Sequence, residues 1–70
     1  MSAVVLVVEF VPREGRAREL EAALVGAVPA VHAEDGCVLY ALHRDAAGTM
    51  VLVEKWESRD DLERHAGGLR

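Results

Sequence analysis

Residues Val4 to Phe10 read VVLVVEF, apolar at six of seven positions. A strand that faces a core on one side and water on the other alternates apolar and polar residues, whereas a run apolar on both faces needs cover on both. The chain has 70 residues and reads as one domain, 1–70. A domain of that size buries only roughly 60% of the surface its unfolded chain exposes, so its own core is marginal. Small domains are commonly reinforced by disulfides, a metal or a second subunit. Cys37 is the single cysteine, so no intrachain disulfide can form, and a lone thiol suits a reducing cytoplasm. His32, Cys37, His43 and His65 form no C-x-x-C or H-x-x-x-H pair, and no metal site is expected. The reinforcement left is a second copy of the chain.

Charge narrows the partners. The formal net charge is −4, with both signs interspersed. Nucleic-acid binding needs a basic stripe, so it is not expected here. The opening MSAVVLVVEF has no basic region before its apolar run, soon reaches Glu9, and is too short to span a membrane or to act as a signal peptide.

Along the chain the period of the apolar pattern changes. Ala3 to Val11 reads as a strand, broken by Pro12 to Gly15. From Arg16 onward, Leu20, Leu24, Ala27, Val28 and Val31 fall at helical spacing. Pro29 lies within that pattern, where proline removes a hydrogen bond and clashes with the preceding turn at a cost of about 3 kcal/mol. The sequence therefore predicts a break or kink near Val28 and a short helical turn up to His32. Gly36 closes the element in a left-handed conformation. Cys37 to Arg44 and Thr49 to Trp56 read as an antiparallel hairpin around a type I turn, Asp45 to Gly48. Ser58 caps a second helix with Asp61 three residues on, and Gly67-Gly68 ends it. The order is β-α-β-β-α.

The run AEDGCVLYALHRDAAGTMVLVEKWESRDDLERH, Ala33 to His65, resembles the antibiotic biosynthesis monooxygenase family. Glu34, Gly36, Cys37, Tyr40, Glu54, Trp56 and His65 stand at matching spacings, and VPREGRARELEAAL is similar to that family's first helix. The resemblance implies an α+β, ferredoxin-like β-α-β-β-α(-β) antiparallel sheet with two helices on one face, pairing with a second copy into a dimeric α+β barrel. Residues for the last strand do not follow Arg70 in this sequence, so an open sheet edge is expected. The resemblance also implies a pocket between sheet and helices. In some members that pocket oxidises aromatic polyketides or quinols with O2, without metal or flavin; others degrade haem. The haem-degrading branch carries Trp where His65 stands, an Asn where Val8 stands, and a His ligand beyond the end of this chain, so haem is not the favoured reading.

Two residues are candidates for catalysis. His65 follows Leu62 by three residues and precedes Leu69 by four, which places it on the apolar side of the second helix. An imidazole titrates near about pH 6.5 when unperturbed and can take a phenolic proton. Glu54 shares a strand face with Met50, Leu52 and Trp56 and stands at the level of His65 if the helix folds back, so it is the expected orienting group. Packing alone is the plainer account of both. Tyr40, Trp56 and Phe10 are the candidates for holding an aromatic substrate, with core packing again the alternative. A four-residue turn sets Tyr40 opposite Val53 and a three-residue turn sets it opposite Glu54; the sequence leaves the two open.

The leading expectation is a cytoplasmic, cofactor-free oxygenase for a small aromatic or quinol substrate. A non-catalytic binding or assembly module on the same scaffold is the alternative. The doubly apolar first strand generates a test of assembly: sedimentation at micromolar concentration should give a species of twice the chain mass, formed through the sheet face away from the helices.

Overall fold

The valine-rich run forms strand β1, Val4–Phe10, in a computed structural model that describes residues 2–67. Helix α1, Ala17–His32, follows, then β2, Cys37–Arg44, and β3, Met50–Trp56, and finally helix α2, Arg59–Gly67. The expected end of the second helix at Gly68, and Leu69 on its apolar side, lie outside the described residues. The described strands make one antiparallel sheet in the order β1-β3-β2.

Register sorts the side chains. Met50, Leu52, Glu54 and Trp56 of β3 stand level with Phe10, Val8, Leu6 and Val4 of β1. Across the other ladder, Glu54 faces Tyr40, Leu52 faces Leu42 and Met50 faces Arg44. This is the helix-side face: α1 packs mainly on β2 and α2 on β3. Met50, Leu52 and Trp56 are buried there, together with Val31 from α1, while Leu20, Leu24 and Val28 are half-buried. The core is thus a thin layer between the central strand and the helices. The row of β1 on this side is covered less well, and Leu6 remains exposed. On the other face Val5 and Val7 are each 60% exposed, and Leu39 is exposed with them. The second face of the opening run has no cover within the described chain.

The hairpin takes the tighter of the two arrangements the sequence allowed. Gly48 N–H donates to the Asp45 carbonyl at 3.1 Å, and Asp45 N–H donates to the Thr49 carbonyl at 2.9 Å. Asp45 Oδ1 accepts from the backbone N–H groups of Ala47 and Thr49. A type I turn followed by a left-handed residue, here Gly48 at φ +90°, is the usual three-residue hairpin loop. Its consequence is that Tyr40 stands opposite Glu54 and faces the helices.

The break expected near Val28 does not form. α1 runs unbroken through Pro29 to His32. Pro29 has no N–H to donate, yet it sits in the last turn, where tertiary contacts hold the chain in line. Val31 is buried against the sheet. His32 Nε2 donates to the Tyr40 carbonyl at 3.0 Å, and Ala33 N–H returns to the Pro29 carbonyl at 3.3 Å. Packing outweighs propensity here, as it commonly does. The proline still forfeits a helix bond, so Pro29→Ala should raise the unfolding free energy by about 1–3 kcal/mol, read as a higher urea midpoint with an unchanged slope.

Candidate functional site

Trp56 is fully buried at 0% exposure and lies at the end of β3, where the sheet meets α2. Its Nε1–H donates to Glu54 Oε1 at 2.9 Å, two residues back on the same face. Glu54 is only 4% exposed, so this bond satisfies two buried polar groups at once. The indole face carries the His65 ring, with centroids 4.8 Å apart and planes 29° from parallel. Tyr40 meets the His65 ring edge-on, with centroids 5.9 Å apart and planes at 69°. His65 itself is 8% exposed.

Glu34, from the loop between α1 and β2, completes the cluster. His65 Nδ1 lies 3.1 Å from both of its carboxylate oxygens. A carboxylate only accepts, so Nδ1 is the donor, and whenever the ring is neutral Nε2 holds the lone pair. Carboxylate contact at one ring nitrogen thus selects the tautomer in which the other can act as a base. The sequence assigned that orienting role to Glu54, and the geometry assigns the contact to Glu34. Glu54 is engaged by the indole and reaches His65 only through Trp56. Glu34 was part of the run that carries the family resemblance; its contact depends on the left-handed turn at Gly36, φ +83°, which aims the loop toward α2.

Tyr40 and Trp56 therefore join His65, but Phe10 does not. Phe10 pairs with Met50 at the far end of the sheet, six strand residues from the level of Trp56, about 20 Å away. Burial, then the charges of Glu54 and Glu34, push the Tyr40 hydroxyl above its ordinary value of 10.0. It remains a neutral phenol, able to donate a hydrogen bond. Burial and the same two carboxylates, Glu34 foremost, push the Cys37 thiol above 9.0, which removes thiolate chemistry from neutral pH. No group of His, Cys, Asp and Glu suited to a metal ion occurs among the described residues, and no helix there is long and apolar enough to cross a membrane.

The helix that delivers His65 starts from a local cap. Ser58 Oγ accepts from the Asp61 backbone N–H at 3.1 Å, and its hydroxyl donates to Asp61 Oδ2 at 2.8 Å. Arg64 donates to Asp61 Oδ1 at 2.8 Å. His65 then follows one turn after Asp61, on the side facing the sheet.

A three-stranded antiparallel sheet with two helices on one face, and a buried histidine held by a partly exposed carboxylate at their junction, defines a ferredoxin-like α+β domain with a polar group set in its core. The chain belongs to the antibiotic biosynthesis monooxygenase family, whose model matches residues 3–68. It is 37% identical over 67 residues to the Mycobacterium tuberculosis protein Rv0793, which is provisionally named a monooxygenase. That match covers 94% of this chain and 66% of the relative, so the chain spans about two thirds of the relative's length. The solved structure of Rv0793 superposes with a TM-score of 0.89, covering 94% of this chain and 68% of that one. PA3566 from Pseudomonas aeruginosa superposes at 0.89 with 30% identity, over 96% of this chain and 70% of that one. SO0527 from Shewanella oneidensis gives 0.86 with 29% identity, over 90% and 63%.

The cap generates a pH test. The Ser58 hydrogen bond, then that of Arg64, holds the Asp61 carboxyl below its ordinary value of 3.8. A carboxyl whose folded value is depressed stabilises the fold above its unfolded value, and that contribution is lost as pH falls through the folded value. Urea titrations at stepped pH should therefore show the wild type exceeding Asp61→Asn in stability above about pH 4, with the gap narrowing on further acidification.

Proposed function

We propose that the chain is the oxygenase subunit of a cofactor-free monooxygenase acting on a small phenol or hydroquinone, with His65 as the base and Glu34 as the group that orients it. The observation that supports this reading most directly is the Nδ1 contact to Glu34 beneath a buried indole, which leaves Nε2 as the basic nitrogen. Nε2 takes the phenolic proton. The resulting phenolate passes one electron to O2, and the radical pair joins at a ring carbon that bears hydrogen. Loss of water across the new peroxide leaves a carbonyl, so one oxygen atom enters the quinone product and the other leaves as water. The substrate is the reductant. The protein deprotonates, positions and excludes water. The neutral Tyr40 hydroxyl is suited to donate a hydrogen bond to a substrate oxygen, and Leu6 with Val8, on the less covered helix-side row of β1, offers an apolar floor for a ring.

In this reading a second copy covers Val5, Val7 and Leu39 on the far face, and the protein works in the cytoplasm, where Cys37 stays a thiol. Phe10 lies half-buried at the other end of the sheet, and Glu54 supports Trp56.

The test is turnover of hydroquinones under air by purified, metal-free protein. General-base removal typically lowers the rate about 10²–10⁴-fold. His65→Leu should show that loss while the circular dichroism spectrum and oligomeric state stay those of the parent. Glu34→Gln should show a smaller loss, because the amide can still accept from Nδ1. Full turnover in His65→Leu overturns the assignment. Tight binding of aromatic phenols without any turnover by the parent would instead establish a binding module on the same scaffold.

A further inference from the structure

Both halves of the His65–Glu34 pair hang from one contact outside the reacting groups. An ideal Cβ built on Gly36 would stand 2.6 Å from Asp61 Cβ and closer still to the Asp61 carboxyl carbon. Real Cβ atoms essentially never approach within 3.0 Å. The space a side chain would fill at Gly36 is thus taken by the first turn of α2. The same place is fixed a second time, since Glu57 N–H donates to the Gly36 carbonyl at 2.8 Å. Glu34 lies two residues before Gly36 on one side of the contact. His65 lies four residues after Asp61 on the other. Gly15, Gly26, Gly48 and Gly67 have nothing within 4 Å of the corresponding position, so among the described residues this close approach belongs to Gly36 alone.

A methyl group at Gly36 meets Asp61 at its Cβ, which no side-chain rotation can move. Either the loop or the start of α2 has to shift. The Nδ1 contacts are already 3.1 Å long, near the outer limit for N–H···O bonds, so a shift of a few tenths of an ångström away from the loop breaks them. We propose that Gly36 is a positioning residue: the absence of its side chain sets the distance at which α2 docks, and that distance places the His65 imidazole on Glu34. The proposal deepens the reading of His65 as the base and rests on it for its kinetic consequence, but not for its spectroscopic one.

Gly36→Asn is the informative variant, because asparagine tolerates the left-handed backbone better than other side chains and so isolates the added Cβ from backbone strain. Gly36→Ala carries both effects. Gly26→Ala, on α1, is the control with open space around it. Trp56 is the chain's single tryptophan, so its emission reports the stack with His65 directly. Gly36→Asn should stay folded, with Trp56 emission shifted to the red as the imidazole cover loosens, while Gly26→Ala emits as the parent does. Quinol turnover should fall on the order of 10²-fold, the cost of about 1 Å of misplacement. Gly36→Ala should show the same shift with a lower melting temperature. If the parent has no turnover but the Trp56 shift appears, the oxygenase reading fails and the positioning role stands. Parental emission and turnover in Gly36→Asn overturn the positioning role and leave the oxygenase reading intact. Failure of Gly36→Asn to fold also overturns it, since the contact would then serve the fold as a whole.

Discussion

The indole of Trp56 is the member on which the polar interior depends. It joins the two parts of the cluster: its N–H satisfies Glu54 and its face supports His65. A buried carboxylate without a partner costs several kcal/mol, and a buried imidazole without a fixed neighbour has no single orientation. The bicyclic ring settles both through one rigid group with only two side-chain torsions. Glu54 and His65 can therefore share a space between sheet and helix that is otherwise apolar, without touching each other. Glu34, by contrast, approaches from the loop side and keeps contact with solvent, with 39% of its side chain exposed. The pair thus has a buried member and a wet one.

The sheet carries a polar cluster on one face and an apolar surface on the other. Every polar group of the cluster lies on the helix side, while the far side offers valine and leucine. That division follows from the alternation of a strand. In β3 the helix-side residues Met50, Leu52, Glu54 and Trp56 are all buried, and Val51 and Val53 between them are half-buried. A central strand buried on one side and half-shielded on the other is a small protein's way of holding a functional group rigidly with few residues. Among the described residues the outer face remains apolar and exposed at Val5, Val7 and Leu39.

The elements and their order were legible in the sequence because each carries its own local signal: β-branched runs, a helical period, a type I turn with aspartate first, and a serine cap. His65 was placed on the inner face by the same periodic argument. The identity of its partner was not legible. Glu54 and Glu34 are both acidic and both within the run similar to the family, and choosing between them required knowing where the indole N–H points and how the Gly36 turn aims the loop. The uninterrupted α1 was also beyond local reasoning, because the contacts that keep Pro29 in line come from Val31 on the sheet and from Tyr40 on another strand. Phe10 failed to join the site for a plainer reason: composition marks it as aromatic, but only register shows that it sits at the wrong end of its strand.

The loop from Asp45 to Thr49 lies at the surface, with Asp45 to Ala47 exposed, the kind of segment that ordinarily absorbs insertions and deletions. Here its length carries information. The ladder from Arg44 opposite Met50 to Tyr40 opposite Glu54 is set by that loop, and a strand presents alternate residues to opposite sides. An odd change in loop length that preserved the β3 pattern would turn Tyr40, Leu42 and Cys37 outward and bring Leu39, Ala41 and His43 under the helices. The loop is thus constrained in parity as well as at Asp45 and Gly48: Ala46 and Ala47 can be exchanged, while a single-residue gain or loss moves the whole of β2 to the wrong face.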